Sequence, residues 1–434
     1  MSNFRRLPRH ATTSGWNALL PPRAPHAQPP RENRFHAIVV GAGYTGLAAA
    51  RRLAELMPNR EILVIEALQI GEGLSARNSG YLLVYPSAPK ANAYGSADDD
   101  AIRKVSIATA GLNWLRMLVT DYKIDCDWDE EAPRITAAAT REGERAAREA
   151  ATSFKKWNMD SLEYDAKEIA GLIGTEYYKY AYQLNARVLV QPAALIRGLA
   201  ETLPSNVLIL EKTAVEDIES SGPFRVSTTR GTFVADRVFV ANNTHAGAFR
   251  PSLNRMIPVF TYGALTPPLD EEELGRLGKA PSWGVVPAHG MGTTMRKVLG
   301  RLLIRSSWSY ANETNVDKVR SLLTSLFRRR FPGMRSYEFE HVWGGATAIT
   351  HNGEFYFGEI RPGLYASVGC NGAGVLRGTI HGKLLAEMAC GSQSPLLTER
   401  LSLAGPSWIP PEPLRGIGAV AKMAWLDWRA GDER

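Results

Sequence analysis

The stretch that most constrains this chain is FHAIVVGAGYTGLAAARRLAELMPNREILVIEA, residues 35–67. An apolar run, FHAIVV, leads into Gly41, Gly43 and Gly46, spaced G-x-G-x-x-G. Leu47, Ala50, Leu53, Ala54 and Met57 follow at helical spacing, so one face of the segment is apolar. Pro58 stops the helix, and REILVIEA supplies a second apolar strand. Strand, helix and strand in that order make a parallel pair with a right-handed crossover. The predicted fold class is therefore α/β, with a Rossmann-type domain at its start.

The three glycines suit a phosphate site. Gly41 permits the tight turn, Gly43 lets backbone approach a pyrophosphate, and Gly46 lets the helix pack close to the strand. The helix N-terminus, with Tyr44 and Thr45 in its first turn, offers unpaired N–H groups and a partial positive charge. Glu66 ends the second strand, with Ala67 after it, and an acid there accepts the ribose hydroxyls of an adenosine. It would repel a 2′-phosphate, which disfavours NADP. NAD and FAD share this half-site, so the fingerprint alone does not choose between them.

The next segment does. An NAD domain would proceed to another helix and strand, whereas this chain runs through IGEGLSARNSGY. That stretch is too polar for a core and lacks helical periodicity. Its small residues let backbone N–H groups face an anion or a flat ring. GAGYTGLAAARRLAE, VIEA and IGEGLSARNSG together resemble the D-amino-acid-oxidase-type FAD-dependent oxidoreductases, and most of all their gamma-glutamylputrescine-oxidase-like members. Against the usual loop of those members, G-x-G-A-S-G-R-N-G-G, Gly71, Gly73, Ser75, Arg77, Asn78 and Gly80 match, while Leu74, Ala76 and Ser79 depart. The resemblance implies that this loop follows the FAD pyrophosphate and ribityl chain to the ring, with Ser79 closest to it. It continues in VLVQPAALIRGLAE, in TAVEDIE (Val215 beside adenine), in VFVANNTHAG, in HVWGGATAITHNGEFYFG (with Gly345), in GLYASVGCNGAGV and in PPEPLRG. In GLYASVGCNGAGV, Gly372, Gly374 and Val375 would meet the pyrimidine end of the flavin, where a helix N-terminus stabilises negative charge.

Patterning supports a discontinuous layout. A β-rich block of short runs covers residues 206–243, a charged helix 140–157, and an amphipathic helix 316–332. We expect an irregular arm at 1–34 and an FAD-binding domain from 35–89, 186–255 and 341–395. A substrate domain on a mixed or antiparallel sheet takes 90–185 and 256–340. The C-terminal segment, 396–434, holds an amphipathic helix expected to dock on the body rather than lie on a membrane.

The resemblance implies oxidation of an amine or amino acid. Hydride goes to flavin N5, the imine hydrolyses, and O2 is the expected acceptor. Alternatives are a dehydrogenase serving a quinone or carrier, and a non-redox FAD-binding module. FAD is expected to be non-covalent, because no cysteine stands between Cys126 and Cys370 and LSARNSGY has no histidine. No residue is assigned as catalytic. His351 could contact substrate or flavin, or be a hydrogen-bonded structural histidine. Arg305 could pair bidentately with a substrate carboxylate or face solvent from its strand. Tyr262, Trp343 and Tyr356 could wall a pocket for a cationic amine or pack a core.

The 434 residues carry a net charge of +7, but the cationic residues are scattered apart from RRLPR at 5–9 and FRRRFPG at 327–333. Nucleic-acid binding needs a clustered basic face and is not expected. Three separated cysteines and no CxxC give neither a disulfide framework nor a metal site, and fit a reducing, cytoplasmic setting. No apolar run spans a membrane, and no secretory h-region opens the chain. LLPPRAPHAQPPRE, with five prolines, cannot be a transit helix, so a structural arm or a disordered leader is expected.

Overall fold

In the computed structural model, strand Arg34–Val40 turns at Gly41–Gly43 into helix Tyr44–Leu56 and returns as strand Ile62–Ile65. The two strands are parallel, with Val39 opposite Val64. A Cβ on Gly46 would stand 1.8 Å from the Gly41 carbonyl oxygen, so only glycine lets the helix start this close to the strand end. The structure describes residues 8–84, 96–157, 159–185, 188–220, 222–249, 254–334 and 337–434. The expected domain boundaries at 89/90 and 186, and part of the basic cluster at 5–9, lie outside them.

The βαβ unit sits in an eight-stranded sheet. Its path runs Tyr356–Arg361, Leu364–Val368, Gly231–Val240, Arg34–Val40, Ile62–Ile65 and Val207–Leu210. The last five are mutually parallel, and Tyr356–Arg361 is antiparallel. Val215–Ser220 and Phe224–Thr228 fold back antiparallel on the long Gly231–Val240 strand. That strand runs unbroken through Asp236, which is exposed, and Arg237, which is half-buried, while Val238, Phe239 and Val240 are buried.

A second eight-stranded sheet runs His341–Ile349, Ile257–Leu265, Arg301–Tyr310, Thr294–Val298, Trp283–Pro287, Arg134–Ala138, Tyr180–Leu184 and Ser161–Asp165. All its pairs are antiparallel except Trp283–Pro287 with Arg134–Ala138. The expected mixed sheet is therefore present. His341–Ile349, expected in the cofactor-binding part, is instead the edge strand of this second sheet. Nine residues pair in register with Ile257–Leu265, and the strand still reaches the cofactor-side loops through Trp343 and Gly345. One face of the sheet packs on helix Val316–Arg330 through Tyr262, Trp283, Met295, Ile304 and Phe327.

Helix Gly374–Ala389 crosses helix Tyr44–Leu56 closely. A Cβ on Gly382 would lie 2.1 Å from the Thr45 carbonyl oxygen, and one on Gly378 would lie 2.8 Å from Thr45 Oγ1.

From residue 8 on, the N-terminal arm is mostly irregular, with one short turn of helix, Gly15–Ala18. It starts on the second sheet, where Thr12 Oγ1 donates to the Val342 carbonyl. It then crosses the 71–80 loop and reaches the first sheet, where Asn33 accepts from Val234 N. Trp16 is fully buried beneath it.

The C-terminal helix, Leu414–Ala430, docks on the body, but not through its bulky apolar residues. It docks through Arg415, Ala419 and Ala430, with Arg415 donating to Asn254 Oδ1. Leu414, Ile417, Trp425 and Trp428 fall on one outward stripe and are 50–78% exposed. The helix seats its small-residue side on the body, leaving its bulky apolar side in solvent. Among the described residues, no helix is long and apolar enough to cross a membrane, and no cluster of three metal-ligating side chains occurs.

Candidate active site

The C-terminal ends of three parallel strands, at Val40, Ile65 and Ala241, open onto a cleft of about 810 Å3, its mouth included. Ligands of open α/β sheets bind at this end. Gly41 to Gly43, Glu66 and Ala67, Gly73 to Ser75, and Thr213 to Val215 line it. Gly43 is the N-cap of helix Tyr44–Leu56 and brings no capping side chain, which leaves the first-turn N–H groups available.

The two glycine-rich stretches of the sequence meet across this cleft. A Cβ on Gly43 would lie 2.7 Å from Ser75 Oγ, so the backbone of one stretch faces the hydroxyl of the other. Ser75 Oγ has no protein partner among the described residues. Glu66 accepts from Ala42 N at 2.8 Å and Leu68 N at 3.0 Å, one bond to each carboxylate oxygen. A lone pair on each oxygen is left for a ligand. Burial raises the Glu66 pKa.

Asn242, Asn243, His245 and Phe249 also line the cleft, and the sequence reading did not single them out. Their only signal was the VFVANNTHAG segment. Asn242 Oδ1 is buried there without a partner among the described residues. An uncapped helix N-terminus, an unpartnered hydroxyl, a half-satisfied carboxylate and an orphaned amide oxygen fit a ligand with phosphates, a ribose and a base. The donor set suits the dinucleotide half of FAD.

The rest of the 71–80 loop is held from behind. The Arg77 guanidinium donates to the carbonyls of Glu72, Gly344 and Thr12 at 2.9, 2.9 and 2.6 Å. Burial depresses its pKa to about 10. Asn78 donates to the Ser75 carbonyl and accepts from Gly80 N, closing the turn on itself. Trp16 Nε1 donates to the Asn78 carbonyl at 2.7 Å. Arg77 and Asn78 thus spend their side chains on shaping the loop. Gly80 has φ 76°, and a Cβ on it would lie 2.1 Å from the Val190 carbonyl oxygen. The Ser79 carbonyl accepts from Arg296 at 3.4 Å. Tyr44 is buried, with its hydroxyl on the Pro192 carbonyl, and does not line the cleft. Thr45 and Gly46 serve the helix packing described above.

The late glycine turn reaches the same loop through the edge of the second sheet. A Cβ on Gly345 would lie 2.9 Å from Arg77 Cβ. Two residues on, Thr347 Oγ1 accepts from Gly372 N at 3.0 Å. Helix Gly374–Ala389 then begins without a side-chain cap, and Val375 is buried in its first turn.

The catalytic candidates separate sharply. His351 sits on an exposed turn, 3.5 Å from Ser407 Oγ, and lines no part of the cleft. Tyr262 is buried on the face of the second sheet that packs on helix Val316–Arg330, bonded to Ser309 Oγ and Thr314 N. Trp343 is 1% exposed, its ring lies over Gly263, and Nε1 donates to the Arg77 carbonyl at 3.2 Å. Neither aromatic can wall a pocket, because strand alternation sends one to the far core and the other under the loop. Tyr356 lies on the edge strand of the first sheet, half-buried. Arg305 is on the inner face of the second sheet, with Nε donating to Thr261 Oγ1 at 3.0 Å.

The model of the family described as FAD dependent oxidoreductase (DAO) matches residues 36–388. Among curated proteins, gamma-glutamylputrescine oxidoreductase of Escherichia coli (strain K12) is 27% identical over 368 residues, covering 81% of this chain and 83% of that protein. Among solved structures, glycine oxidase from Geobacillus kaustophilus superposes with a TM-score of 0.72 at 20% identity, over 84% of this chain and 96% of that one. L-proline dehydrogenase from P. horikoshii does so at 0.68 and 16%, over 84% and 96%. These two likenesses establish a shared fold. With the family match covering most of the chain and the cleft fitting the cofactor, the chain belongs to the DAO family of FAD-dependent oxidoreductases.

Proposed function

We propose that this enzyme oxidises the C–N bond of an amine or amino acid, using non-covalent FAD and O2. The observation that carries the reading is the likeness, over four-fifths of both chains, to a relative named for gamma-glutamylputrescine. FAD, when bound, would supply a two-electron acceptor for the hydride of the carbon that bears nitrogen; with water and O2 the balance would be a carbonyl product, the released amine or ammonia, and hydrogen peroxide.

The chain's own part is binding and electrostatics. Gly43, Tyr44 and Thr45 offer backbone N–H groups to the pyrophosphate. Glu66 takes the adenosine ribose, and Val215 lies at the adenine end. Gly73, Ser75 and the turn built by Arg77, Asn78, Ser79 and Gly80 guide the chain to the ring, with Gly345 behind it. Gly372, Gly374 and Val375 bring a helix N-terminus, whose positive end favours negative charge there. A neutral amine needs no side-chain base, and none is assigned.

A dehydrogenase that passes electrons to a quinone or carrier is the second reading. The exposed stripe Leu414, Ile417, Trp425 and Trp428 favours it, since an apolar face could meet such a partner. The experiment is anaerobic titration of the yellow protein with polyamines, gamma-glutamyl amines, N-methyl amino acids, D-amino acids and aminophosphonates. Bleaching that air reverses with stoichiometric peroxide supports the oxidase, and bleaching with little peroxide supports the dehydrogenase. A protein that takes up no FAD sinks both.

A further inference from the structure

Helix Leu414–Ala430 is pinned at both ends. At its start, Arg415 donates to the Pro410 carbonyl at 3.0 Å and to Asn254 Oδ1 at 2.8 Å. Just beyond its end, the buried Glu433 carboxylate accepts from Ala139 N at 2.9 Å and Thr140 N at 2.8 Å. The Glu433 carbonyl accepts from Thr293 N at 3.0 Å and from Arg330 at 3.2 Å. Ala419 and Ala430 are buried against the body. The helix therefore cannot roll over to hide its bulky residues, and its outward side is fixed by its seat.

At 3.6 residues per turn, Leu414, Ile417, Ala421, Trp425 and Trp428 fall on one stripe along that outward side, and all five are exposed. Seventeen residues make the helix about 25 Å long. Of the ten tryptophans in the chain, Trp408, Trp425 and Trp428 are exposed, and all three lie in or just before this helix. Apolar surface concentrated in this way is unfavourable in water and marks a contact site. Lys422 and Arg429, seven residues apart, stand along one edge of the stripe. Arg429 lies over the Trp425 ring and is paired with Glu142. Lys422 is exposed and has no ion-pair partner among the described residues. Asp427, the acid of the helix, is turned to the other side and paired with Arg434.

Tryptophans, aliphatic bulk and a cationic edge with no acid on the outward side match a bilayer surface with anionic headgroups. Indole rings are stable at headgroup level, and the stems of Lys and Arg reach from there to phosphates. A second copy of the chain would bring the same cations to the contact and no acid of the stripe to answer them. We propose that this helix docks the enzyme on an anionic membrane surface. It lies in the interface plane through Leu414, Ile417, Trp425 and Trp428, with Lys422 and Arg429 among the headgroups. The small-residue side meanwhile stays on the body, so the two contacts do not compete. The docking goes beyond the oxidation reaction and holds whichever acceptor takes the electrons.

The test uses the holoenzyme and sedimenting vesicles of phosphatidylcholine, alone or with about one third phosphatidylglycerol. The protein is expected to pellet with the mixed vesicles, with its tryptophan emission shifted to shorter wavelength. Neutral vesicles should bind it at least about fivefold more weakly. Trp425→Ser combined with Trp428→Ser should weaken binding by about tenfold or more at unchanged flavin content. Lys422→Glu, which leaves the apolar stripe whole, should weaken binding to the mixed vesicles by about fivefold to thirtyfold. The inference is overturned if the protein stays in the supernatant with both vesicles, if neutral vesicles bind it as well as anionic ones, or if either variant pellets as wild type does. It is also overturned if the wild-type protein is a dimer that the tryptophan substitutions convert to monomer, since a second copy would then cover the stripe.

Discussion

At Gly46 the helix starts so near the strand that one added methyl group would overlap the Gly41 carbonyl oxygen. Gly46→Ala must push helix Tyr44–Leu56 away from the cleft. We expect a cost of about 1–3 kcal/mol and loss of most bound FAD, read as the ratio of flavin to protein absorbance and the denaturation midpoint. Normal flavin content in a stable variant would show that the helix is not held by this contact. Gly41, Gly43, Gly46 and Glu66 were legible because their task is local: a turn, a close approach and an acid at a fixed offset. Arg77 was legible as a residue but not as a role. The resemblance set it beside the cofactor, whereas its guanidinium is consumed by carbonyls of Glu72, Gly344 and Thr12, two of which lie far off in sequence. Tyr262 and Trp343 failed as pocket walls for a related reason. Which face of a strand meets which layer depends on partners that no single strand encodes.

Among elements, the N-terminal arm is the one the sequence concealed most. Its prolines erase periodicity, and it holds the body largely through scattered side-chain and carbonyl bonds. Glu211 anchors it, accepting from the Arg23 guanidinium and from the backbone N–H groups of His26 and Ile70. Burial by itself would raise the Glu211 pKa, but those donors outweigh it and hold the pKa below the ordinary glutamate value. A depressed folded-state pKa adds stability that is complete above the unfolded value of about 4.3 and disappears as pH falls through the lower, folded one. Wild-type protein should therefore lose stability below about pH 4 more steeply than Glu211→Gln, which forfeits on the order of 1–3 kcal/mol at neutral pH. Denaturant midpoints from pH 3 to 7 check this, and parallel curves for the two proteins would refute it. The βαβ unit and the β-rich block, by contrast, were readable because their apolar periods repeat within a few residues. The C-terminal helix was readable as amphipathic, but not as outward-facing, since amphipathicity names a face without naming what covers it.

On the scale of the whole molecule, the cleft draws on strand ends at Val40, Ile65 and Ala241, about two hundred residues apart in sequence at the extremes, and on a loop braced by the second sheet. Binding of FAD should consequently stabilise the entire fold. With free FAD at a thousandfold over its dissociation constant, about 4 kcal/mol is gained, seen as a rise of a few degrees in Tm from apoprotein to reconstituted enzyme. Equal melting of the two forms would mean that the cleft does not hold the cofactor. The two-sheet plan could be anticipated from alternating strand and helix patterns, but the seat of His341–Ile349 in the second sheet could not. Its glycines and apolar residues suit either sheet, and only the nine-residue register with Ile257–Leu265 decides. The arm's path carries one further consequence, for the ribosome. His10 and Ala11 bond to Glu313, and Thr12 bonds to Val342 and Arg77, so residues 10–12 wait for partners synthesised some three hundred positions later. Closing contacts of that sequence separation is slow and must follow release of the Val342 strand. A nascent chain can form the Arg34–Ile65 strand, helix and strand early, but the brace behind the 71–80 loop closes only when residues 10–12 meet that later strand.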